Sequence, residues 1–313
     1  MSHEVESLAW VGQKPWHGLG TQVSNDLTAK EMMIAAGCDW EVAKADLVAN
    51  LNGNQYSVGK NKALLRTTDG QFMDVVGDDW NPVQNKTAFE FFKDFVDAGQ
   101  MKMETAGSLS DGKMVWALAE VEKSFELFNG DKVKSYLLFS NPHKYGKVVD
   151  VRLCMTRVVC NNTIRVALGE AGNAFKSNHA TIFDADKAKK FLGLVDVAMD
   201  DLKAKSEVLA SKQYTDEKVN EFFDRVFPVQ VVKGGIKKKD RSKNAEAATL
   251  ALTHQPGVEF APGSWYQALQ AVTYTTNHLM GRNQETRVSN LWYGTTGDKN
   301  NAALDLALEY AEA

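Results

Sequence analysis

Cysteine is scarce in this 313-residue chain: there are three, an odd and sparse set that makes no disulfide framework. Cys154 and Cys160 form a poor metal pair without further ligands nearby, so all three read as plain buried thiols. No apolar run approaches the length of a membrane span, and Met1-Ser2-His3-Glu4-Val5-Glu6 has no basic leader, which reads as a cytoplasmic protein with no membrane partner. Positive charge is not in excess either. A net charge of −4 argues against coating nucleic acid by bulk charge, while leaving room for a local basic patch. The signatures of chemistry are missing as well. His17, His143, His179, His254 and His278 fall at no HxxxH or HxH spacing. Gly18-Leu19-Gly20 has neither the preceding strand nor the third glycine of a dinucleotide fingerprint, and Gly234-Gly235-Ile236-Lys237 lacks the GxxxxGK[ST] frame. No nucleophile elbow supports a Ser-His-Asp or Cys-His set. Asp78-Asp79 is an adjacent pair whose carboxylates point two ways from an extended chain, whereas a metal-dependent nuclease gathers them on one Mg²⁺.

What the chain does have is a core and a change of periodicity. With 44% hydrophobic residues and 24% charged, it can bury one large or two modest domains. Residues 62–175 read as a β-rich core domain. Lys62 to Arg66 and Phe72 to Val76 are strands joined through Asp69-Gly70, and further strands start at Met101, Lys113, Lys132 and Lys147. Between them Ala88, Phe91, Phe92, Phe95 and Val96 have the i, i+3, i+4, i+7, i+8 spacing of a helix lying on a sheet. Asn85 reads as its cap, with Thr87 and Glu90 in capping-box spacing. Residues 1–61 read as a leader packed on that core, with a capping box at Thr28 and Glu31 opening a short helix and Trp40 to Leu51 a further strand pair. Residues 176–313 read as a helical region carrying a basic loop at 233–243. The predicted class is α+β: a mainly antiparallel twisted sheet with a packed helix, followed by a helical C-terminal part.

Candidate binding residues come from local charge. Residues 233–243 hold six basic residues against one acid, with two adjacent glycines, and read as a mobile loop. Lys237, Lys238, Lys239, Arg241 and Lys243 are the candidate phosphate contacts, since lysines on such a loop follow a backbone without reading bases. Lys132, Lys134 and Tyr136 alternate with apolar neighbours, and Arg152 and Arg157 join that polar sheet face in one register. Tyr266, Gln270, Tyr274 and His278 recur every four residues beside the apolar stripe of a helix, a strip that more often packs against another element than stacks on bases. The leader tryptophans Trp10 and Trp16, with a terminal amphipathic helix, predict a homo-oligomer having those two rings at or near the contact.

Three blocks carry a resemblance. Trp16-His17-Gly18-Leu19-Gly20, Trp80-Asn81-Pro82-Val83-Gln84-Asn85 and Thr156-Arg157-Val158-Val159-Cys160-Asn161-Asn162-Thr163 resemble the signature blocks of a phage- and plasmid-borne family catalogued as domain of unknown function 932. That resemblance supplies no catalytic residues and no cofactor; its mobile-element setting implies DNA handling. The order of strands, one laid-on helix and then helices is similar to single-strand annealing proteins of the RecT and Redβ kind, an analogy of fold that does not fix function. The expectation is therefore a non-catalytic protein that binds, and by this analogy anneals, single-stranded DNA in recombination or replication. The alternatives are a metal-dependent nuclease using Asp78 and Asp79, and a structural or host-interaction protein that ignores DNA.

Overall fold

The computed structural model describes residues 5–12, 20–157, 163–165, 175–179, 195–229, 241–281 and 294–313, with single positions 181, 183, 184, 186, 187, 190, 193, 290 and 291 besides. Trp16, His17, residues 158–162 and Lys233 to Lys239 lie outside the described residues. The chain divides into two compact units, one of residues 1–122, 136–153 and 170–193, the other of 123–135, 154–169 and 194–313. The class is α+β, with mainly antiparallel sheets and the helices gathered towards the C-terminal part.

In the first unit the N-terminal stretch supplies a strand of the sheet itself. Its β1 (Val5–Val11) pairs antiparallel with β6 (Met101–Leu109) and parallel with β2 (Thr21–Val23). The larger sheet continues from β6 through β7 (Met114–Glu126) and β8 (Lys132–Pro142) to β9 (Val149–Arg157), on which β10 (Thr163–Arg165) and β11 (Phe175–Ser177) both pair. Leu8, Ala9 and Trp10 are buried in succession, so this strand shows no period-two pattern to find. The Trp10 ring is thereby consumed by the chain's own core, which removes it from the self-association contact expected of it. Close approach fixes Gly107 opposite Leu8: a Cβ there would lie 2.3 Å from the backbone oxygen of Ser7.

A second, three-stranded sheet holds β3 (Val42–Leu51), β4 (Asn54–Arg66) and β5 (Phe72–Gly77), with β4 central. The segment expected to be a strand pair is one long strand, turning back at Asn52-Gly53, both at positive φ. Preceding it, α1 (Ala29–Ala35) has the capping box read from its sequence: Glu31 N–H donates to Thr28 Oγ1, and Thr28 N–H to the Glu31 carboxylate.

The helix laid on the larger sheet is α2 (Asn85–Asp97). Its Phe91 and Phe92 rings sit 5.4 and 6.2 Å from Phe139 of β8, and Phe183 closes the cluster 5.4 Å from Phe139. Burying each such ring is worth roughly 1.5–3 kcal/mol. The cap differs from the sequence expectation. Gln84 stands at the N-cap without a side-chain bond to the helix, and Asn85 is the first helical residue. Both amides are spent elsewhere.

The second unit is helical: α3 (Val195–Ser211), α4 (Asp216–Val226), α5 (Lys243–His254), α6 (Trp265–Tyr274) with a π-helical turn Thr275–Leu279, and α7 (Thr295–Glu312). Trp265 is its centre, with Phe222 and Tyr310 rings 5.6 and 5.0 Å away. Ala303, Ala307 and Ala311 of α7 are buried at i, i+4, i+8, so the terminal helix spends its small apolar stripe inside this unit and not on a partner. The Tyr266 strip packs, as read: Tyr266 is buried and donates to Asp131 Oδ2 at 2.8 Å, and Gln270 is buried beside it. No helix among the described residues is long and apolar enough to cross a membrane.

Candidate functional site

The expected sheet-face track does not assemble as read. Lys132 is exposed and Lys134 half-buried, so the alternation along the start of β8 is real. At Tyr136, however, β6 and β7 present Glu104 and Glu120, and burial first, then these carboxylates, push the phenol up. The row there is acidic. Arg152 is a correction: it is buried, and its Nε and Nη2 bind Asp150 Oδ1 and Oδ2 at 2.7 and 2.9 Å. A guanidinium held in this two-pronged way inside a sheet offers no face to a ligand. Arg157 ends β9, and its side chain lies outside the described residues.

The basic segment is the stronger candidate, and its C-terminal end is built with care. Arg241 Nε donates to Asp224 Oδ1 at 2.7 Å and Nη2 to the Asn220 carbonyl at 3.2 Å, tying the end of the segment to α4. Ser242 caps α5, accepting from Ala245 N–H at 3.1 Å while donating to the Phe227 carbonyl at 2.6 Å. Lys243, next in line, is exposed. Lys299 Nζ donates to the Val226 carbonyl at 2.7 Å, at the end of α4. Arg241 is thus a fastening and Lys243 an outward charge, a division that sequence did not distinguish. Lys237, Lys238 and Lys239 lie between, outside the described residues.

Asp78 and Asp79 stay on the surface. Asp78 has Lys62 Nζ 4.0 Å from its carboxylate, and its carbonyl accepts from Lys44 Nζ at 2.6 Å. Among the described residues no group of three or more His, Cys, Asp or Glu is placed to hold a metal ion.

What sequence reading missed is a buried polar cluster on the Trp80-to-Asn85 block. Asn85 Nδ2 donates to the carbonyls of Cys38 and Trp40 at 3.0 and 3.2 Å, and its Oδ1 accepts from His143 Nε2 at 2.9 Å. Asn141 Nδ2 donates to the Val83 carbonyl at 2.8 Å. His179 stacks on Trp80 with ring centroids 4.1 Å apart, and its Nδ1 donates to the Asn81 carbonyl at 3.2 Å. Gln84 holds Val42 by both backbone groups, donating to its carbonyl and accepting from its N–H at 2.9 Å each. Burial pushes the His143 imidazole down to about 3, with His179 adding to the effect. Burial lowers His179 too, against the carbonyls of Asn81 and Pro142. Both rings are therefore neutral at pH 7. The cluster binds four chain segments together, with Trp80, Asn85, Asn141, His143 and His179 buried in it. Its histidines are far apart in sequence, so no spacing signals them; the asparagines and glutamine following Trp80 were the available hint.

Fold and site together define an α+β protein of two mainly antiparallel sheets and a helical unit, with a basic segment whose end is tied down at Arg241. The chain belongs to the family described as Domain of unknown function (DUF932), whose sequence profile matches residues 72–292. The matched region takes in the Trp80-to-Asn85 block, His143, His179 and the basic segment. No curated protein and no solved structure matches the chain.

Proposed function

We propose that the chain is a non-catalytic binder of single-stranded DNA, serving recombination or replication on phage or plasmid elements, with annealing as its refinement. The observation that carries this reading is the segment 233–243, six basic residues to one acid on a chain of net charge −4. Its end is fastened by Arg241 while Lys243 faces outward. A basic segment anchored at its end follows a phosphate backbone at modest ordering cost, and phosphate contact needs no sequence-reading groove. The reading assigns phosphate contact to Lys237, Lys238, Lys239 and Lys243, with Lys132 as an outlying contact. Self-association belongs to the same reading, because adjoining copies on one strand raise each other's effective concentration.

The test is fluorescence anisotropy with a labelled oligonucleotide across a salt series. Each lysine that neutralises a phosphate adds roughly −0.7 to the log–log salt slope on single strands, so replacing Lys237, Lys238 and Lys239 by alanine flattens it by about two. Absence of binding at low salt removes the proposal in favour of a structural or host-interaction role. Strand cleavage in Mg²⁺ or Mn²⁺ that Asp79→Ala abolishes replaces it with a nuclease.

A further inference from the structure

We propose that two copies of this chain pair through the outer edge of β3, antiparallel about Ala45, independently of DNA. In the three-stranded sheet β4 is central, which leaves β3 as a ten-residue edge strand. Thr67 N–H donates to the Glu41 carbonyl, so odd-numbered residues of β3 turn their backbone groups to β4 and even-numbered ones turn theirs outward. The Asn52-Gly53 turn, with Leu51 facing Asn54, gives the same parity at the other end. Between Asp46 and Val48 the register shifts, but Lys62 and Ser57 are their partners, so the extra residues lie on β4 and β3 runs regularly past them. The outward groups of Val42 are taken by the Gln84 amide. From Lys44 onward no strand among the described residues pairs with this edge.

Natural edges of this length are blunted by proline, bulges, charged side chains or cover; β3 has no proline and its bulge is on the other strand, so the charges of Lys44 and Asp46 are what guard it, and opposite charge on a partner turns that guard into a match. Beyond it the β3–β4 ribbon exposes Val48 (50%), Leu51 (61%), Tyr56 (51%) and Val58 (40%). A two-stranded ribbon wet on both faces is marginal alone.

The occupant is a second copy because the edge is complementary to itself. Lys44 and Asp46 share one face of β3, and antiparallel pairing about Ala45 sets each Lys44 opposite the partner's Asp46. On the other face Ala43 meets the partner's Leu47, apolar on apolar. A like-charged register, centred on Asp46, is disfavoured by the same rule. Asp46 remains 81% exposed despite its bond to Lys62, so its carboxylate is open to a further cation.

The experiment is sedimentation of the full chain at micromolar concentration, with two charge variants. The wild type is expected to sediment as a dimer. Lys44→Glu leaves two acids on that face and Asp46→Lys two bases, so each alone is expected to sediment as a monomer. Mixed one to one, the pair is expected to dimerise again, because acid then faces base in both pairs; recovery on mixing also shows that both variants are folded. A monomeric wild type overturns the proposal. So does a dimer that both single variants leave intact, or a pair of monomers that does not recombine.

Discussion

His143 Nε2 lies 2.9 Å from Asn85 Oδ1, joining the end of β8 to the first turn of α2 across 58 residues of sequence. Because an amide oxygen only accepts, this bond fixes the Nε2–H tautomer of a neutral ring and leaves Nδ1 as a buried acceptor without a partner among the described residues. The ring is fully buried, and a proton on Nδ1 would place an uncompensated charge there.

Acid is therefore expected to unfold the first unit. His143 takes up its proton near 6.5 when unfolded but only near 3 when folded, so between these values the unfolded chain binds more protons. The stabilisation is fully present above pH 6.5 and is lost as pH falls, at about 1.4 kcal/mol per pH unit for one histidine. His179, also lowered, steepens the loss. Urea midpoints measured from pH 7 to 4 should fall accordingly, and His143→Gln, which keeps an amide donor for Asn85, should make the fall shallower.

Asn85→Ala should be among the costliest single changes. It strands the Cys38 and Trp40 carbonyls and the His143 N–H in a dry site, three groups whose lost bonds sum to about 3 kcal/mol or more. Equilibrium unfolding by circular dichroism measures it. A loss below about 1 kcal/mol would mean that water replaces the amide.

Gly107→Ala tests the close approach of β1 to β6. The added methyl meets the backbone oxygen of Ser7 at 2.3 Å, a contact that only movement of a strand relieves. The expected cost is about 2 kcal/mol, with the β1 amides showing the largest rise in hydrogen exchange.

Arg241 and Lys243 should separate under mutation. Arg241→Ala loosens a partly exposed pair with Asp224, so it lowers the unfolding free energy of the helical unit by up to about 1 kcal/mol. Lys243→Ala should leave stability unchanged within about 0.5 kcal/mol and reduce the salt slope of oligonucleotide binding by roughly 0.7.

Thiol mapping gives a further check. Burial pushes Cys38 up to about 12, and its sulfur is packed against Ser7 and the Ala36 carbonyl. Native protein should leave Cys38 unlabelled by a thiol reagent at pH 8 and label it at the rate of unfolding.

By itself the sequence determined the elements whose signals are local. The capping box at Thr28, the apolar stripe of α2, the Asp69-Gly70 turn and the alternation at the start of β8 depend on residues within a few positions of each other. The class followed from those periods. The basic segment was legible as charge, and the Tyr266 strip as packing.

Only the tertiary structure decided what depends on partners distant in the chain. Val5–Val11 escaped notice as a sheet strand because β1 is buried on successive residues, which erases the two-residue period that marks a half-wet strand. Asn85 looks like a cap residue locally, yet the Cys38 and Trp40 carbonyls claimed its amide, and the backbone of Val42 claimed that of Gln84 beside it. Arg152 left the expected wet face because Asp150, two residues away on the same strand, neutralises it inside the sheet. Local propensity states which bonds a side chain is able to make; the fold settles which partner reaches it, and buried polar groups accept whichever one excludes water.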